Sequence, residues 1–387
     1  MNFKIWCDTI NVVLEYKEEA EYEEVKSTGA AGVVALSLAA CKKEEPANEP
    51  ETKQEAVKET KEEPKQDEPV SEEEIPANQN LLTGIPDLSD AAIGKRPVAV
   101  MVNNVMPAMP QYGVEEADLI FEIPVEGDVT RFMALYADYT AVPKVCAVRS
   151  CRYYFPVFSE GFDAFYVNWG IDDSIGDYLK TLDLDQFDGM SDGNGMFGRD
   201  QARLDAGYDL EHTAYFDGTM FADVVQKNGI RTDLEEDKRD TAFKFHGLDE
   251  QVKPDGEACD QVDINFGAQT ATLTYDPERN VYLKQINGNA QVDGNTQNQL
   301  AFTNVFVLET EISVRDEIGH KRIEVMGGKN STGYYISNGA VQKISWEKDG
   351  GKESSRLKFY DENGEELTIN CGKSYIAVNY ADKTTFQ

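Results

Sequence analysis

Short apolar segments rich in β-branched residues follow one another closely from Pro97 onward, with turn-forming residues between them. In the first half of the chain we expect five of them to be strands, the fourth running into a helix: KRPVAVMVNN, VEEADLIFEIPV, TRFMALYAD, KVCAVRSCRYYF and GFDAFYVNWG. Strands this closely spaced favour a mixed or antiparallel sheet with a few helices over regular βαβ winding.

Two segments carry the best helix signals, SIGDYLKTL and GTMFADVVQKNG, and Gly229 is placed as the C-terminal stop of the second. From about Asp240 the chain alternates polar and apolar residues between Gly, Asn and Asp turns, as in ATLTYDPERNVYLKQING, NVFVLETEISV, TGYYISNGAVQKISWEK, RLKFYDENGEELTI and SYIAVNY. We expect an α+β fold, with a layered α/β N-terminal domain containing a mixed sheet (81–240) and a smaller β-rich C-terminal domain (241–387). The acidic segment LDLDQFDG is expected to be a solvated loop.

The first 80 residues do not read as a domain. An apolar stretch from Ala30 to Ala40 is too short to span a bilayer, and the motif LAAC that ends in Cys41 resembles the lipobox of bacterial lipoproteins. Residues 1–40 are therefore interpreted as signal-like and Cys41 as the lipidation site, which would anchor the protein at the outer face of the cell membrane. A short core helix is the alternative interpretation.

Two further features frame this lipobox. The residues before it, LEYKEEAEYEEVK, are acidic where a signal peptide is basic, which indicates a wrong start site or a frameshift upstream of about Ser27. After it, residues 41–80 contain many Glu, Lys, Pro, Thr and Gln and no aromatic residue. Such a composition cannot bury enough apolar surface to fold, so we expect a disordered acidic tether.

Composition excludes several classes of function. The chain has 37 Lys and Arg against 71 Asp and Glu, a formal net charge of −34, and this field repels nucleic acid. We expect no metal and no cofactor, because the sequence has no C-x-x-C pair, no Cys/His cluster and no phosphate loop. Four cysteines of the folded part are expected to be buried small hydrophobic residues, with disulfides as the alternative: Cys146, Cys151, Cys259 and Cys371.

Arginines within apolar segments are the strongest candidates for a site. Arg131, Arg149 and Arg152 each need an acidic partner or a ligand, because a guanidinium has five donors and no accessible neutral form. In one interpretation they are internal clamps that pair with the acids of neighbouring elements, Asp118, Glu122, Glu126 and Asp128. In the other they form an anion pocket with Arg199 and Arg203, in which aromatic residues supply stacking surfaces: Tyr153, Tyr154 and Trp169. We expect Arg131 to act as a clamp and Arg152 to lie nearest a ligand.

The chain resembles the YerB-like lipoproteins, whose two folded halves are known as domain of unknown function 3048. The motifs that carry the resemblance run in order from Leu81 to Tyr380: LLTGIP, KRPVAVMVNN, QYGVEEADLIFEIPVEGDVTRFMALY, VRSCRYYF, QVDGNTQNQLAFTNVFVL, GKNSTGYYISNG and KFYDENGEEL. The resemblance implies an envelope lipoprotein of mainly Gram-positive bacteria, with an α/β first domain and a smaller β-rich second one. It implies no reaction.

His212 is a further candidate, because with Arg199 and Asp200 it could form an acid/base set. The family carries a Pro-His-Asn run after its F-x-R-D segment, whereas this chain has Glu211 and Thr213 beside the histidine, so the role of that loop does not transfer directly.

Three functions follow from these features. The first is a non-catalytic envelope lipoprotein that binds an anionic small molecule or wall fragment through Arg131, Arg149, Arg152, Tyr153, Trp169, Arg199 and His212. The second is a scaffolding lipoprotein that binds an envelope protein, with the arginines as clamps. The third is an envelope hydrolase. An open arginine-lined cleft would favour the first, whereas His212 beside Asp200 in a cleft would favour the third.

Overall fold

A computed structural model describes residues 75–387. The signal-like segment, Cys41 and the tether up to residue 74 lie outside the described residues. The strands in chain order are β1 Val98–Asn104, β2 Leu119–Pro124, β3 Thr130–Tyr136, β4 Lys144–Cys146, β5 Phe165–Asn168, β6 Gln186–Asp188, β7 Phe197–Arg199, β8 Ala214–Asp217, β9 Lys244–Phe245, β10 Glu257–Ala258, β11 Gln261–Asn265, β12 Thr270–Asp276, β13 Val281–Ile286, β14 Asn289–Ala290, β15 Ala301–Phe302, β16 Asn304–Thr310, β17 Ile312–Val314, β18 Lys321–Ile323, β19 Gly327–Ser337, β20 Ala340–Lys348, β21 Leu357–Tyr360, β22 Thr368–Ile369, β23 Ser374–Tyr380 and β24 Thr384–Phe386.

Helices are short and lie between these strands. The α-helices are α1 Tyr154–Glu160, α2 Gly176–Leu179, α3 Gln201–Asp205 and α4 Phe221–Asn228. Single 3-10 turns occur at Met106–Ala108, Glu126–Asp128, Asp173–Ile175, Leu210–His212, Gly218–Met220, Glu236–Lys238 and Asp349–Gly351.

One mixed sheet of eleven strands organises the described residues. Its order is β10, β20, β19, β16, β23, β2, β3, β1, β5, β6, and β21 also pairs with β20. The pairs β16/β23, β23/β2, β1/β5 and β5/β6 are parallel, and the others are antiparallel. Strand β23, near the end of the chain, lies beside β2 with Ser374 opposite Leu119, so both halves of the chain contribute to one sheet.

Side chains alternate between the two faces of this sheet, and each face has its own apolar core. In β1, Val98, Val100 and Val102 belong to one core, whereas Ala99 and Met101 belong to the other. The core of Ala99 and Met101 includes residues of α1. The opposite core includes residues of α4 and of a second sheet, ordered β14, β13, β12, β11, β24 with β15 beside β13. Because both faces are buried, the central strands read as nearly continuous apolar runs.

The structure confirms a mixed sheet with few helices, and Gly229 ends α4 in the left-handed conformation, with φ of 63°. The layered α/β arrangement of the first half is not confirmed, because the α-helices of residues 75–387 are only 4 to 8 residues long. The domain boundary at residue 240 stays a prediction. All four cysteines of the described part are free and buried, as expected.

The structure of the acidic segment LDLDQFDG differs from our prediction. It was expected to be a solvated loop, but its last residues form β6, which pairs in parallel with β5 and sets Asp188 opposite Asn168. Phe187 anchors this edge strand, since its ring centroid lies 5.0 Å from that of Phe221. Apolar packing therefore outweighs the high charge of the segment.

Candidate functional site

The segment that carries Arg149 is fixed by β1 and β5. The backbone N–H of Arg149 donates to the carbonyl of Met101, at 3.0 Å, and the N–H of Trp169 donates to the carbonyl of Arg149, also at 3.0 Å. Trp169 directly follows β5, which runs parallel to β1. Because β1 and β5 are parallel, they end at the same edge of the sheet. Trp169, at the end of β5, therefore lies beside Arg149, whose backbone is hydrogen-bonded to β1.

An open cleft of about 610 Å³ lies at this edge. Three of the predicted site residues line it: Arg149, Trp169 and Arg199. The rest of the lining mixes small, apolar and acidic residues: Val148, Ser150, Gly170, Ile171, Asp173, Asp188, Met190, Leu210, Glu211 and Ala214. A solvent-open cleft with two guanidinium groups was the arrangement expected of an anion site.

Arg199, on β7, stacks on the indole of Trp169, with its guanidinium carbon 4.3 Å from the ring centroid. One of its nitrogens, Nη1, donates to the carbonyl of Leu210 at 2.7 Å. No carboxylate of the described residues lies within 4.0 Å of this guanidinium. Burial and the nearby charge of Arg149 lower the pKa of Arg199. The cleft therefore contains a guanidinium that keeps unused donors.

Trp169 is held in place from behind by Gly189. A Cβ at this position would lie 2.6 Å from Cε3 of the indole, so the backbone approaches the ring as only glycine permits. The indole Nε1 donates to Sδ of Met190, at 3.1 Å. The indole beneath Arg199 is therefore packed against the backbone at Gly189 and hydrogen-bonded at Nε1.

Arg149 is only partly compensated. Its Nη2 lies 2.9 Å from Oε2 of Glu211, whose side chain is 53% exposed. Its Nε is buried and has no hydrogen-bond partner among the described protein groups. A buried donor without a partner costs free energy, so part of the hydrogen-bonding capacity of Arg149 is not satisfied within the protein.

Arg131 and Arg152 do not line the cleft, because both are directed to Glu126. Arg152 grips this carboxylate with a bidentate fork, Nε to Oε1 at 2.5 Å and Nη2 to Oε2 at 2.9 Å. Arg131 places Nη2 3.6 Å from the same group, and its Nη1 donates to the carbonyl of Ser150 at 2.6 Å. Both arginines thus contact a carboxylate, which for Arg152 differs from our expectation that it lies nearest a ligand, and the ligand-binding roles of both stay predictions.

Electrostatics support this division. Burial raises the pKa of Glu126, but the hydrogen bonds from Arg152 and the charges of Arg131 and Arg152 outweigh burial and leave it lowered. Burial and the charges of Arg152 and Arg149 lower the pKa of Arg131 to about 10. The three arginines thus repel one another, and Glu126 holds two of them together.

The predicted tyrosines serve packing. The Tyr153 hydroxyl donates to the carbonyl of Ile323 at 3.0 Å and accepts from its N–H at 2.8 Å, which ties α1 to β18. The buried hydroxyl of Tyr154 donates to the carbonyl of Pro124, at 2.8 Å. Neither ring lines the cleft.

His212 and Asp200 do not form an acid/base set. The buried Nδ1 of His212 accepts from the side-chain amide of Asn103 at 3.0 Å, and burial lowers the pKa of the imidazole. The Asp200 carboxylate instead contacts Lys144 Nζ at 2.9 Å and accepts from the N–H of Arg203 at 3.0 Å, capping α3. The buried guanidinium of Arg203 donates to the carbonyls of Ala108, Pro110 and His212.

A second polar centre contains Glu122, which the sequence suggested as a partner of the arginines, but its cation is Lys284, which sequence reasoning missed. Glu122 and Lys284 form an ion pair at 3.0 Å whose side chains are both fully buried between the two large sheets. Hydroxyls of Tyr375 and Thr130 donate to Glu122 at 2.6 and 2.7 Å, and Lys284 donates to Gln291 at 2.8 Å. A usable signal existed, because Lys284 alternates in phase with inward-facing apolar residues of β13 and Glu122 interrupts the apolar run LIFEIP.

Comparisons with known proteins agree with this architecture. Residues 82–231 match the family model "Protein of unknown function (DUF3048) N-terminal domain", and residues 262–376 match the corresponding C-terminal domain. The protein named "Putative lipoprotein YerB" from Bacillus subtilis is 27% identical over 264 residues, which cover 67% of this chain and 75% of that protein.

The crystal structure of YerB from Bacillus subtilis superposes with a TM-score of 0.67 at 25% identity, covering 79% of this chain and 98% of that chain. Within residues 75–387, no helix combines the length and the apolar character needed to cross a membrane. The motifs, the two family models and the shared fold together place the chain in one family. The chain belongs to the YerB-like family, whose members carry the N- and C-terminal DUF3048 domains.

Proposed function

We propose that this protein is a lipoprotein of the outer face of the cell membrane whose cleft binds an anionic small molecule or wall fragment. The anchoring part rests on LAAC and Cys41 in the sequence, and the word lipoprotein in the name of the Bacillus subtilis relative supports it. A lipid on Cys41 would supply the apolar surface that the acidic segment after it lacks.

One observation carries the binding part. Arg199 has no carboxylate within 4.0 Å among the described residues, and Arg149 is paired only with the half-exposed Glu211, yet both line one open cleft. Buried or half-buried cations are normally compensated, as Arg152 is by Glu126. An incoming carboxylate or phosphate would complete the compensation, and arginine forks suit both groups.

The two other functions receive less support from the described residues. The hydrolase hypothesis relied on His212 and Asp200 acting together, and the carboxylate of Asp200 is directed to Lys144 instead. Arg131 and Arg152 fit the clamp role of a scaffolding protein, but that role leaves the two cleft arginines unexplained.

Thermal unfolding of the full-length chain tests the proposal against N-acetylmuramic acid, a nucleotide and a phosphosugar. A ligand that binds the native state raises the unfolding temperature with concentration. We expect at least one of these anions to do so, and Arg199→Ala to abolish the response. The matched control is Arg279→Ala, which removes an exposed arginine outside the cleft. An equal loss of response in both variants, or no response to any anion, would overturn the proposal.

A further inference from the structure

The charges of the cleft are mixed rather than uniformly positive. Two guanidinium groups, Arg149 and Arg199, line it together with three carboxylates, Asp173, Asp188 and Glu211. An occupant that carried only negative groups would be attracted by the guanidinium groups and repelled by the carboxylates. The lining therefore suits an occupant with both signs of charge.

The charged side chains of the cleft that have no ion-pair partner in the described part of the chain also include both signs of charge. Among the described residues, Asp173 and Asp188 have no Lys, Arg or His nitrogen within 4.0 Å. Asp188 uses one oxygen, Oδ1, to accept from the N–H groups of Gly170 and Met190, at 2.7 and 2.9 Å. Likewise, no carboxylate of the described residues lies within 4.0 Å of the guanidinium of Arg199. The cleft thus offers an unpaired guanidinium and unpaired carboxylates together.

Apolar surface borders the same cleft. Met190 is 71% exposed and Leu210 is 60% exposed, and both line it. These two side chains offer apolar surface to a ligand that occupies the cleft.

We propose that the occupant is a short, peptide-like zwitterion. Its carboxylate binds Arg149 and Arg199, its ammonium group lies against Asp173 and Asp188, and a small apolar side chain packs on Met190 and Leu210. The carboxylate displaces Glu211 from Arg149. This assignment rests on the proposed function, because it uses the same two arginines for the anionic end.

Matched peptides test the assignment on the full-length chain. Trialanine has both terminal charges, N-acetyl-trialanine lacks the ammonium group, and trialanine amide lacks the carboxylate. Dissociation constants from ligand-observed NMR should be lowest for trialanine, with each blocked peptide binding about tenfold or more weakly, as expected when a charged contact is lost.

Two variants test which residues bind the ammonium group and which bind the carboxylate of the peptide. Asp173→Asn should weaken the binding of trialanine but not that of N-acetyl-trialanine, whereas Arg199→Ala should weaken the binding of both. Asp177→Asn is the matched control, because it removes the same charge four residues further along the chain. The side chain of Asp177 is fully exposed and does not line the cleft. This control variant should change neither affinity by more than about twofold.

The failures of the two proposals are distinguishable. Equal binding of trialanine and N-acetyl-trialanine would overturn the zwitterion while Arg199-dependent binding of both still supported an anion site. Binding of inorganic phosphate through Arg199 with no binding of any peptide would overturn the peptide class alone. If neither peptides nor phosphate bound in an Arg199-dependent manner, both proposals would be wrong.

Discussion

Lys284 Nζ lies 3.0 Å from Oε2 of Glu122, and neither side chain reaches solvent. Glu122 belongs to β2 of the eleven-stranded sheet and Lys284 to β13 of the second sheet, so the pair joins the two sheets across their shared core. Burial lowers the pKa of Lys284, and the charge and hydrogen bond of Glu122 oppose this shift. A pair of this kind contributes little net stability, but it tolerates the loss of one partner badly.

Replacing Lys284 by Met therefore tests whether the pair is charged in the folded protein. Lys284→Met leaves the Glu122 carboxylate buried without its cation, and we expect a loss of about 3 to 5 kcal/mol in the free energy of unfolding by urea. Lys329→Met, at an exposed position, should change stability by less than about 0.5 kcal/mol.

A double variant separates charge from packing in the same pair. Glu122→Gln removes the isolated charge that Lys284→Met creates, so the double variant should be more stable than the sum of the two single losses predicts. Strictly additive losses would contradict a charged pair.

Local sequence patterns predicted the strands but not how they pair. The alternation and apolar runs placed β1, β2, β3 and β5 correctly, because each depends on residues close in sequence. The position of β23 beside β2 depends on a contact between Leu119 and Ser374, which are far apart in the chain. No local period encodes such a contact, so the shared sheet could not be predicted.

The sequence predicted which types of residue form the candidate site, but not which of the arginines lie together in it. An arginine within an apolar run needs a partner, and all of Arg131, Arg149, Arg152 and Arg199 have specific contacts. Arg131 lies on β3 and Arg199 on β7, but whether Arg149 or Arg152 meets Glu126 depends on side-chain direction in the loop between β4 and α1. That direction is set by tertiary hydrogen bonds, such as the one from Arg131 to Ser150.

The two classes of arginine should differ in stability. Arg152→Ala strips the bidentate partner from Glu126, and we expect it to cost about 3 kcal/mol. Arg199→Ala loses one hydrogen bond and its stacking on Trp169, for about 1 kcal/mol. Urea unfolding of both variants measures the difference, and a larger loss for Arg199→Ala would contradict the division into clamp and cleft residues.

Acid should weaken the Glu126 clamp. The pKa of Glu126 is lowered from 4.5 in the folded protein, so its contribution to stability is fully present above pH 4.5 and is lost as the pH falls through the folded value. Glu126→Gln should therefore be less stable than the parent protein at pH 7, and the difference should shrink below pH 4.5. Unfolding curves at several pH values check this, and a difference independent of pH would exclude the ionised clamp.

Lipid attachment should depend on Cys41. Labelled palmitate supplied to cells should enter the parent protein, and Cys41→Ala should remain unlabelled and appear in the medium, because one lost acyl-bearing residue removes the anchor. Cys371→Ala is a matched control, since this buried cysteine lies in the folded part and should keep the label. Membrane retention of Cys41→Ala equal to that of the parent would rule out the anchor.

Glu211 should act as an internal competitor for anions in the cleft. Its carboxylate lies 2.9 Å from Nη2 of Arg149 while half exposed, so a ligand anion must displace it before the fork of Arg149 becomes available. Glu211→Gln keeps the shape but removes the charge, and we expect the affinity for inorganic phosphate to rise by about three- to tenfold, since a charge-assisted contact no longer has to be broken. Asp173→Asn makes the same change in net charge within the cleft without contacting Arg149, so it should raise phosphate affinity less. Calorimetric titration of both variants measures the two effects, and an equal rise in both would show that net charge, rather than the contact between Glu211 and Arg149, sets the affinity.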